Sequence, residues 1–324
     1  MNMKKAVKII VCFSIMCICC LFMAGNAEAK VSRLSVKGTK VVNSRGKEVQ
    51  LKGVSTHGIA WFPEYVNKKQ FASWKKFGAN TIRLALYSDK SAGFSTSLYE
   101  KVEEGVKYAT ELNMYVIIDW HILSDGNPKK NQKKATSFFT KMAKKYADNT
   151  NVIYEICNEP NGGVTWEKDI KPYAKKMYKT IRKYDKNAII IVGTPNWSQD
   201  VDVVAESPLT SVTNVMYALH FYAATHTDFL RDKAEKALDK GLPIFVSEFS
   251  ICDSSGNGNI DTKSGDKWMK LIKKYKLPYV AWSVSNKNET ASLIKSSCKK
   301  TGTIKKSNLS KTGKWLIKQF KKVK

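Results

Sequence analysis

The sequence is short of the residues that define several large protein classes. Only seven cysteines occur in 324 residues, and four of them fall within the first 20 positions. The other three, Cys157, Cys252 and Cys298, cannot all pair and are not spaced as C-x₂-C. That excludes a disulfide scaffold and a zinc finger and leaves three buried free thiols as the reading. Histidine is rarer, with four in the chain and no H-x-H pair on one strand to suggest a metal-dependent hydrolase; no metal and no cofactor is expected. Neither a P-loop nor a G-x-G-x-x-G after the first strand-like run is present, which argues against a doubly wound nucleotide-binding sheet. The eight prolines form no linker, and there is no repeat or low-complexity spacer, so an appended binding module is not expected. Acidic residues are scarce too: 28 Asp+Glu face 55 Lys+Arg, a formal net charge of +27. Such an excess raises nucleic acid as a partner. The lysines, however, are scattered as Lys68-Lys69, Lys144-Lys145, Lys175-Lys176 and Lys273-Lys274 beside apolar residues at helical spacing. They read as solvated outer faces of many helices with an affinity for acidic surfaces, without a nucleic-acid partner.

What is there begins with a leader. Lys4, Lys5 and Lys8 precede an apolar run from Ile9 to Ala24, and Ala27-Glu28-Ala29 offers the small-x-small pattern of a cleavage site. Residues 1–29 are expected to be a signal peptide, too short in its apolar part for a stable membrane span. Residues 30–324 are expected to be one catalytic domain of a secreted, extracellular protein.

Within that domain, short apolar runs alternate with amphipathic stretches. The runs Val49–Val54, Thr81–Ala85, Tyr115–Asp119, Val152–Ile156, Ala188–Val192, Val215–Leu219, Pro243–Ser247 and Tyr279–Ser283 read as strands buried on both faces. Helical patterns lie between them at Lys68–Phe77, Leu98–Leu112, Lys133–Tyr146, Glu167–Tyr184, Phe229–Lys240 and Asp266–Lys274, with a weaker one at Val201–Ala205 and a last one at Thr312–Lys322. Eight such units at this length imply an α/β fold, a closed (β/α)₈ TIM barrel. Leu34–Lys37 and Lys40–Asn43, turned at Gly38, are expected to form a small N-terminal hairpin capping the barrel bottom.

Barrels of this kind carry their chemistry at the C-terminal ends of the strands. There the sequence places Ser55-Thr56-His57-Gly58, Arg83, Asp119-Trp120-His121, Asn158-Glu159-Pro160, His220-Phe221-Tyr222, Ser247-Glu248-Phe249 and Trp282-Ser283. Three of the four histidines fall at such ends. Glu159 and Glu248 follow the fourth and seventh strands and can face each other across the opening. Two carboxyls so placed suit glycosidic cleavage, one protonating the leaving oxygen and the other attacking the sugar carbon. Arg83 and Tyr222 can keep one carboxylate ionised, Asn158 can bond a sugar 2-hydroxyl, and Trp282 can floor a pyranose ring.

In this order and spacing, Arg83, His121, Asn158-Glu159-Pro160, His220-x-Tyr222, Glu248 and Trp282 resemble glycoside hydrolase family 5, most of all its bacterial endo-β-1,4-glucanases. The resemblance runs from Leu34 to Phe320. It implies a two-step retaining mechanism with Glu159 as acid/base and Glu248 as nucleophile, and His57, His121, His220 and Tyr222 around the attacked sugar. It also implies that Trp61 stacks on a more distant glucose and that Lys287 and Glu289 bond its hydroxyls. The expected substrate is a β-glucan, the expected state a monomer. Among residues outside this set, Trp197 is a plausible substrate contact, Trp268 and Asp119 read as supporting structure, and His226 as a loop residue. The Gly256–Asn259 stretch with Asp253 and Asp261 lacks the ligand spacing of a calcium loop and reads as flexible surface.

Overall fold

The computed structural model describes residues 31–322, so the expected leader lies outside the described residues. The chain enters through an antiparallel hairpin, β1 (Leu34–Lys37) and β2 (Lys40–Asn43), turned at Gly38 with φ +58°, a value that suits a residue without Cβ. A closed parallel barrel follows: β3 (Lys52–Thr56), β4 (Thr81–Tyr87), β5 (Tyr115–His121), β6 (Val152–Glu155), β7 (Ile190–Val192), β8 (Val215–Tyr222), β9 (Ile244–Ser250) and β10 (Tyr279–Val284), with β10 pairing to β3. The strands lead in turn into α1 (Lys68–Phe77), α2 (Leu98–Glu111), α3 (Gln132–Tyr146), α4 (Lys171–Arg182), α5 (Val201–Glu206), α6 (Asp228–Asp239), α7 (Thr262–Tyr275) and α8 (Lys311–Lys322). This is the expected (β/α)₈ barrel. Local chemistry sets the helix ends. At α1 the Asn67 side chain accepts from the Gln70 amide, Phe71 and Trp74 turn to the core, and Gly78 at φ +113° stops the helix.

The hairpin closes the N-terminal end of the barrel. Leu34 and Val41 pack with Leu51, Tyr115, Ile117, Ile153, Met216 and Phe245. The Tyr115 hydroxyl, at the start of β5, donates to Ser32 O at 2.9 Å, and the Val36 amide donates to Asn214 Oδ1 at 2.9 Å just before β8.

Strand alternation then decides what reaches the other end. In β5, Val116, Ile118 and Trp120 join the outer core against the helices, while Tyr115 and Ile117 fill the lower interior. Asp119 and His121 continue the inward row to the mouth. In β8, Met216 and Ala218 precede His220 and Tyr222 on the same row. The β9 row is interrupted. Its register to β8 shifts between Ala218↔Phe245 and His220↔Glu248. Phe245 faces in and Val246 out, Ser247 and Glu248 both contact interior groups, and Phe249 returns to the outer core. A bulge of this kind inserts one residue and re-aims the next.

Several strands run further than their apolar composition suggested. β5 continues to His121, β8 to Tyr222 and β9 to Ser250, because polar residues of the mouth still keep the backbone ladder. At the other end, β3 begins at Lys52 rather than Val49, and β7 at Ile190 rather than Ala188. The stretch expected as one helix from Glu167 is a π-turn, Trp166–Ile170, ahead of α4.

Candidate active site

Arg83 sits in the middle of β4, wholly buried, and its whole guanidinium fork is engaged. Nε donates to Glu155 Oε2 at 2.7 Å, Nη1 to Glu248 Oε2 at 3.2 Å and Ser55 Oγ at 3.3 Å, and Nη2 to Asn158 Oδ1 at 2.6 Å. Asp119 Oδ2 lies 3.1 Å from Nη2. Burial opposes the charge on Arg83, but Asp119, Glu155 and Glu248 outweigh it and hold the group protonated. Burial likewise presses on Glu155, yet Arg83 and then His220 hold its carboxyl down at about 2. Asp119 is pushed upward, by burial first, with Arg83 pulling the other way. Losing Arg83 would strand acidic groups in a low-dielectric interior, at a cost of about 3–5 kcal/mol.

The two glutamates stand in different surroundings above this layer. Glu248 accepts from Arg83 through Oε2 and from the Tyr222 hydroxyl through Oε1 at 2.8 Å. Burial and then the charges of Glu248 and Glu159 raise the Tyr222 phenol, so it stays a donor. Glu159 is served from the other side, its Oε1 lying 3.0 Å from His220 Nδ1. Ligand-type atoms of Glu159, His220 and Glu248 lie within 4.8 Å of one another. That trio is a poor metal centre. His220 Nε2 is 2.9 Å from Ser247 Oγ, so both ring nitrogens are engaged. Burial alone would depress the ring, but Glu155, Glu159 and Glu248 raise it to about 9. With Nδ1 bound to Glu159 and Nε2 to Ser247, the ring has no lone pair free for a cation.

These groups open into a cleft of about 670 Å³. Its walls include Trp61 and Trp197, 47% and 44% exposed, two of the four large apolar side chains that lie exposed among the described residues. An aromatic wall runs from Trp61 to Tyr87 (ring centroids 4.8 Å apart), Tyr87 to His121 (4.2 Å) and His121 to Trp282, stacked at 5.2 Å. His57 joins Trp282 at 5.1 Å. Burial keeps both wall histidines neutral, with pKa values pushed down to about 3. His57 Nδ1 accepts from the Gly58 amide at 2.7 Å, leaving its Nε2 hydrogen to face Glu289 Oε1 at 3.7 Å. Lys287 Nζ sits 2.6 Å from Glu289 Oε2 at the same end. At the other end, Asn196, Trp197 and Ser198 all take left-handed φ values of 56–57°. Left-handed backbone is costly in non-glycine residues. Here the Trp197 amide bonds Pro160 O at 3.0 Å and Ser198 Oγ bonds Asn158 O at 2.7 Å, which ties the turn to the Asn-Glu-Pro segment.

Of the residues singled out from the sequence, His57, Trp61, His121, Glu159, His220, Tyr222, Glu248, Trp282, Lys287 and Glu289 all line this cleft. Arg83 and Asn158 do not. Asn158 is fully buried, with Oδ1 on Arg83 and Nδ2 donating to Ile122 O at 3.1 Å and facing His121 Nε2 at 3.2 Å. Trp197 is in the cleft, whereas Trp268 packs flat on Phe221 with centroids 4.0 Å apart. His226 is a loop residue but a buried one: its Nδ1 accepts from the Tyr222 amide at 2.8 Å. Asp119 is no rim residue; it meets Arg83 and, at 2.7 Å, His121 Nδ1. The loop after β9 is built inward on Asp253, whose carboxylate accepts from Ser255 N, Ser255 Oγ and Asn259 N. Its oxygens face donors, the opposite of what a cation needs. Glu155 and Ser247 stand at strand ends in the sequence but carry no role there, and Tyr87 is not singled out. The signal for Glu155 was there: a carboxylate inside an apolar run must have a buried partner.

The cellulase (glycosyl hydrolase family 5) profile matches residues 42–288. An endoglucanase of Clostridium saccharobutylicum is 45% identical over 89% of this chain and 65% of its own length, and endoglucanase A of Butyrivibrio fibrisolvens 42% identical over 90% and 69%. The chain thus spans about two thirds of the length of these relatives. Among solved structures, the catalytic domain of a Thermobifida fusca endoglucanase in complex with cellotetraose superposes with a TM-score of 0.84 at 32% identity, covering 89% of this chain and 97% of that one. The cellulase Cel5C_n reaches 0.85 at 38% identity, covering 90% and 92%. The chain belongs to glycosyl hydrolase family 5, the cellulase family.

Proposed function

We propose that this protein cleaves internal β-1,4 bonds of cellulose-type glucans with retention at the anomeric carbon. The observation that carries the reading is that one carboxylate oxygen of Glu159 and one of Glu248 lie within 4.8 Å of each other across the cleft. Retaining glycosidases need about 5–5.5 Å, whereas inverting ones leave about 6.5–9.5 Å for a water. Glu248, fed by Arg83 and Tyr222, is the nucleophile. Glu159 gives its proton to the glycosidic oxygen as that bond breaks and Glu248 bonds to the anomeric carbon. A water then passes a proton to Glu159, bonds to the same carbon and releases Glu248. Trp282 supports the attacked sugar, while Trp61 with Lys287 and Glu289, and Trp197 at the far end, hold neighbouring units. Asn158 would meet a 2-hydroxyl by exchanging its long contact to His121 for one to the sugar. The names of the relatives and the cellotetraose of one neighbour favour glucose as the repeating unit. The leader-like residues 1–29 favour export, and the enzyme acts as a monomer outside the cell.

Glu248→Gln keeps the size of the side chain and removes the nucleophile. Turnover of carboxymethylcellulose should fall by about 10⁴-fold or more, with cello-oligosaccharide affinity in calorimetry within about threefold of the parent. Normal turnover in that variant would remove Glu248 from its role.

A further inference from the structure

We propose that Glu155 and Ser247, which lie behind the cleft and need not touch substrate, are positioning residues that act through His220 to set the pH at which Glu159 works as an acid. The proposal rests on the assignment of Glu159 made above. Glu155, Ser247, His220 and Glu159 form one buried row, from 0% exposed at Glu155 to 8% at Glu159. Ser247 has a single hydrogen and gives it to Glu155 Oε1 at 2.7 Å. Glu155 has none to return, because its other oxygen is bound to Arg83 Nε at 2.7 Å and the group is a carboxylate. Ser247 Oγ can therefore only accept from His220 Nε2, 2.9 Å away, so that nitrogen carries a hydrogen. The 3.0 Å link between His220 Nδ1 and Glu159 Oε1 is then left with one proton to share. While Glu159 is an acid, it donates to a neutral ring. Once Glu159 is ionised, the ring can become imidazolium and donate back. Whatever favours the imidazolium favours ionised Glu159, and Glu155 and Ser247 do so from the far side of the ring. The remaining charged or titratable neighbours are Glu248, Tyr222 and Tyr87 around Glu159, and Asp119, His121 and Arg83 around the ring. None of them faces Nε2 at hydrogen-bond distance.

Ser247→Ala removes the acceptor for Nε2 without changing any charge. The basic limb of kcat/KM on β-glucan, which reports the general acid of the free enzyme, should move up by about half a pH unit or more. Ser247→Thr, which retains the hydroxyl, should restore it. Hydrolysis of a dinitrophenyl β-cellobioside, whose leaving group needs no acid, should change less than about threefold in the alanine variant. A limb that stays in place while both substrates lose rate alike would mean a packing defect and overturn the proposal. Nitrogen-15 shifts of the His220 ring in the unmodified protein give a second test that needs no variant. A hydrogen on Nε2 throughout is expected; a neutral ring carrying its hydrogen on Nδ1 would overturn the proposal. Failure of the underlying assignment looks different: Glu159→Ala would then retain full rate on β-glucan, whatever Ser247→Ala does.

Discussion

His220 carries a pH dependence that follows from its neighbours. Its ring is buried among Glu155, Glu159 and Glu248 and is raised from 6.5 to about 9. A group raised on folding stabilises the fold fully below its unfolded value and loses that contribution as pH climbs through the folded one. The window is therefore pH 6.5 to about 9. At about 1.4 kcal/mol per pH unit, on the order of 3 kcal/mol is at stake. Thermal unfolding followed across this window should show the parent losing stability relative to His220→Gln as pH rises. Parallel curves for the two proteins would contradict a charged ring. Glu155, which helps to raise it, shows where single-residue reading ran out. Arg83 stood out in Thr81–Ala85 as a charge in a buried strand, but the equal anomaly of Glu155 within Val152–Ile156 was masked by the Asn-Glu-Pro segment that follows. The partners of both are set by strand order, which puts β4, β6 and β9 around one axis, and no local pattern reports that.

At the scale of elements, the helices were the most legible part. Their apolar stripes and caps are local, and α1 begins at Lys68 and ends at Phe77 as its pattern implies. Strand beginnings and ends were less so, since a residue such as His121 or Tyr222 can continue a ladder while its side chain serves the mouth. The β9 bulge was illegible, because it exists only relative to β8. The loop after β9 lies at the surface as expected, with Ser254, Ser255, Asn257 and Asn259 exposed, but its internal bonding has no local signal. Its order comes from Asp253 accepting bonds inside the loop, and from Thr290 donating to Gly258 O at 2.8 Å. A Cβ on Gly258 would come within 1.3 Å of Asp253 Oδ2, so Gly258→Ala must expel a carboxylate that the loop is wrapped around. Hydrogen exchange over residues 253–259 should then quicken by about tenfold or more. KM for long glucans should rise, since Ser254, Ser255 and Gly256 line the cleft. Unchanged exchange in the variant would show that Asp253 does not hold the loop.

Over the whole molecule, the barrel separates stability from chemistry. Its lower end is closed by the hairpin and an apolar layer, its upper end holds a compensated layer of charge, and its outside is strongly basic. Every exposed position of α8 (Lys311, Lys314, Lys318, Lys321 and Lys322) is a lysine. Among the described residues Lys287 is the one lysine that lines the cleft, so the rest of that charge lies away from it. The stereochemistry of cleavage turns on the separation of two carboxylates at the mouth. Proton NMR of the first reducing ends released from a cello-oligosaccharide tests it most directly. The β-anomer should appear first and the α-anomer only as it mutarotates; an initial α-anomer would mean that water, not Glu248, attacks the sugar.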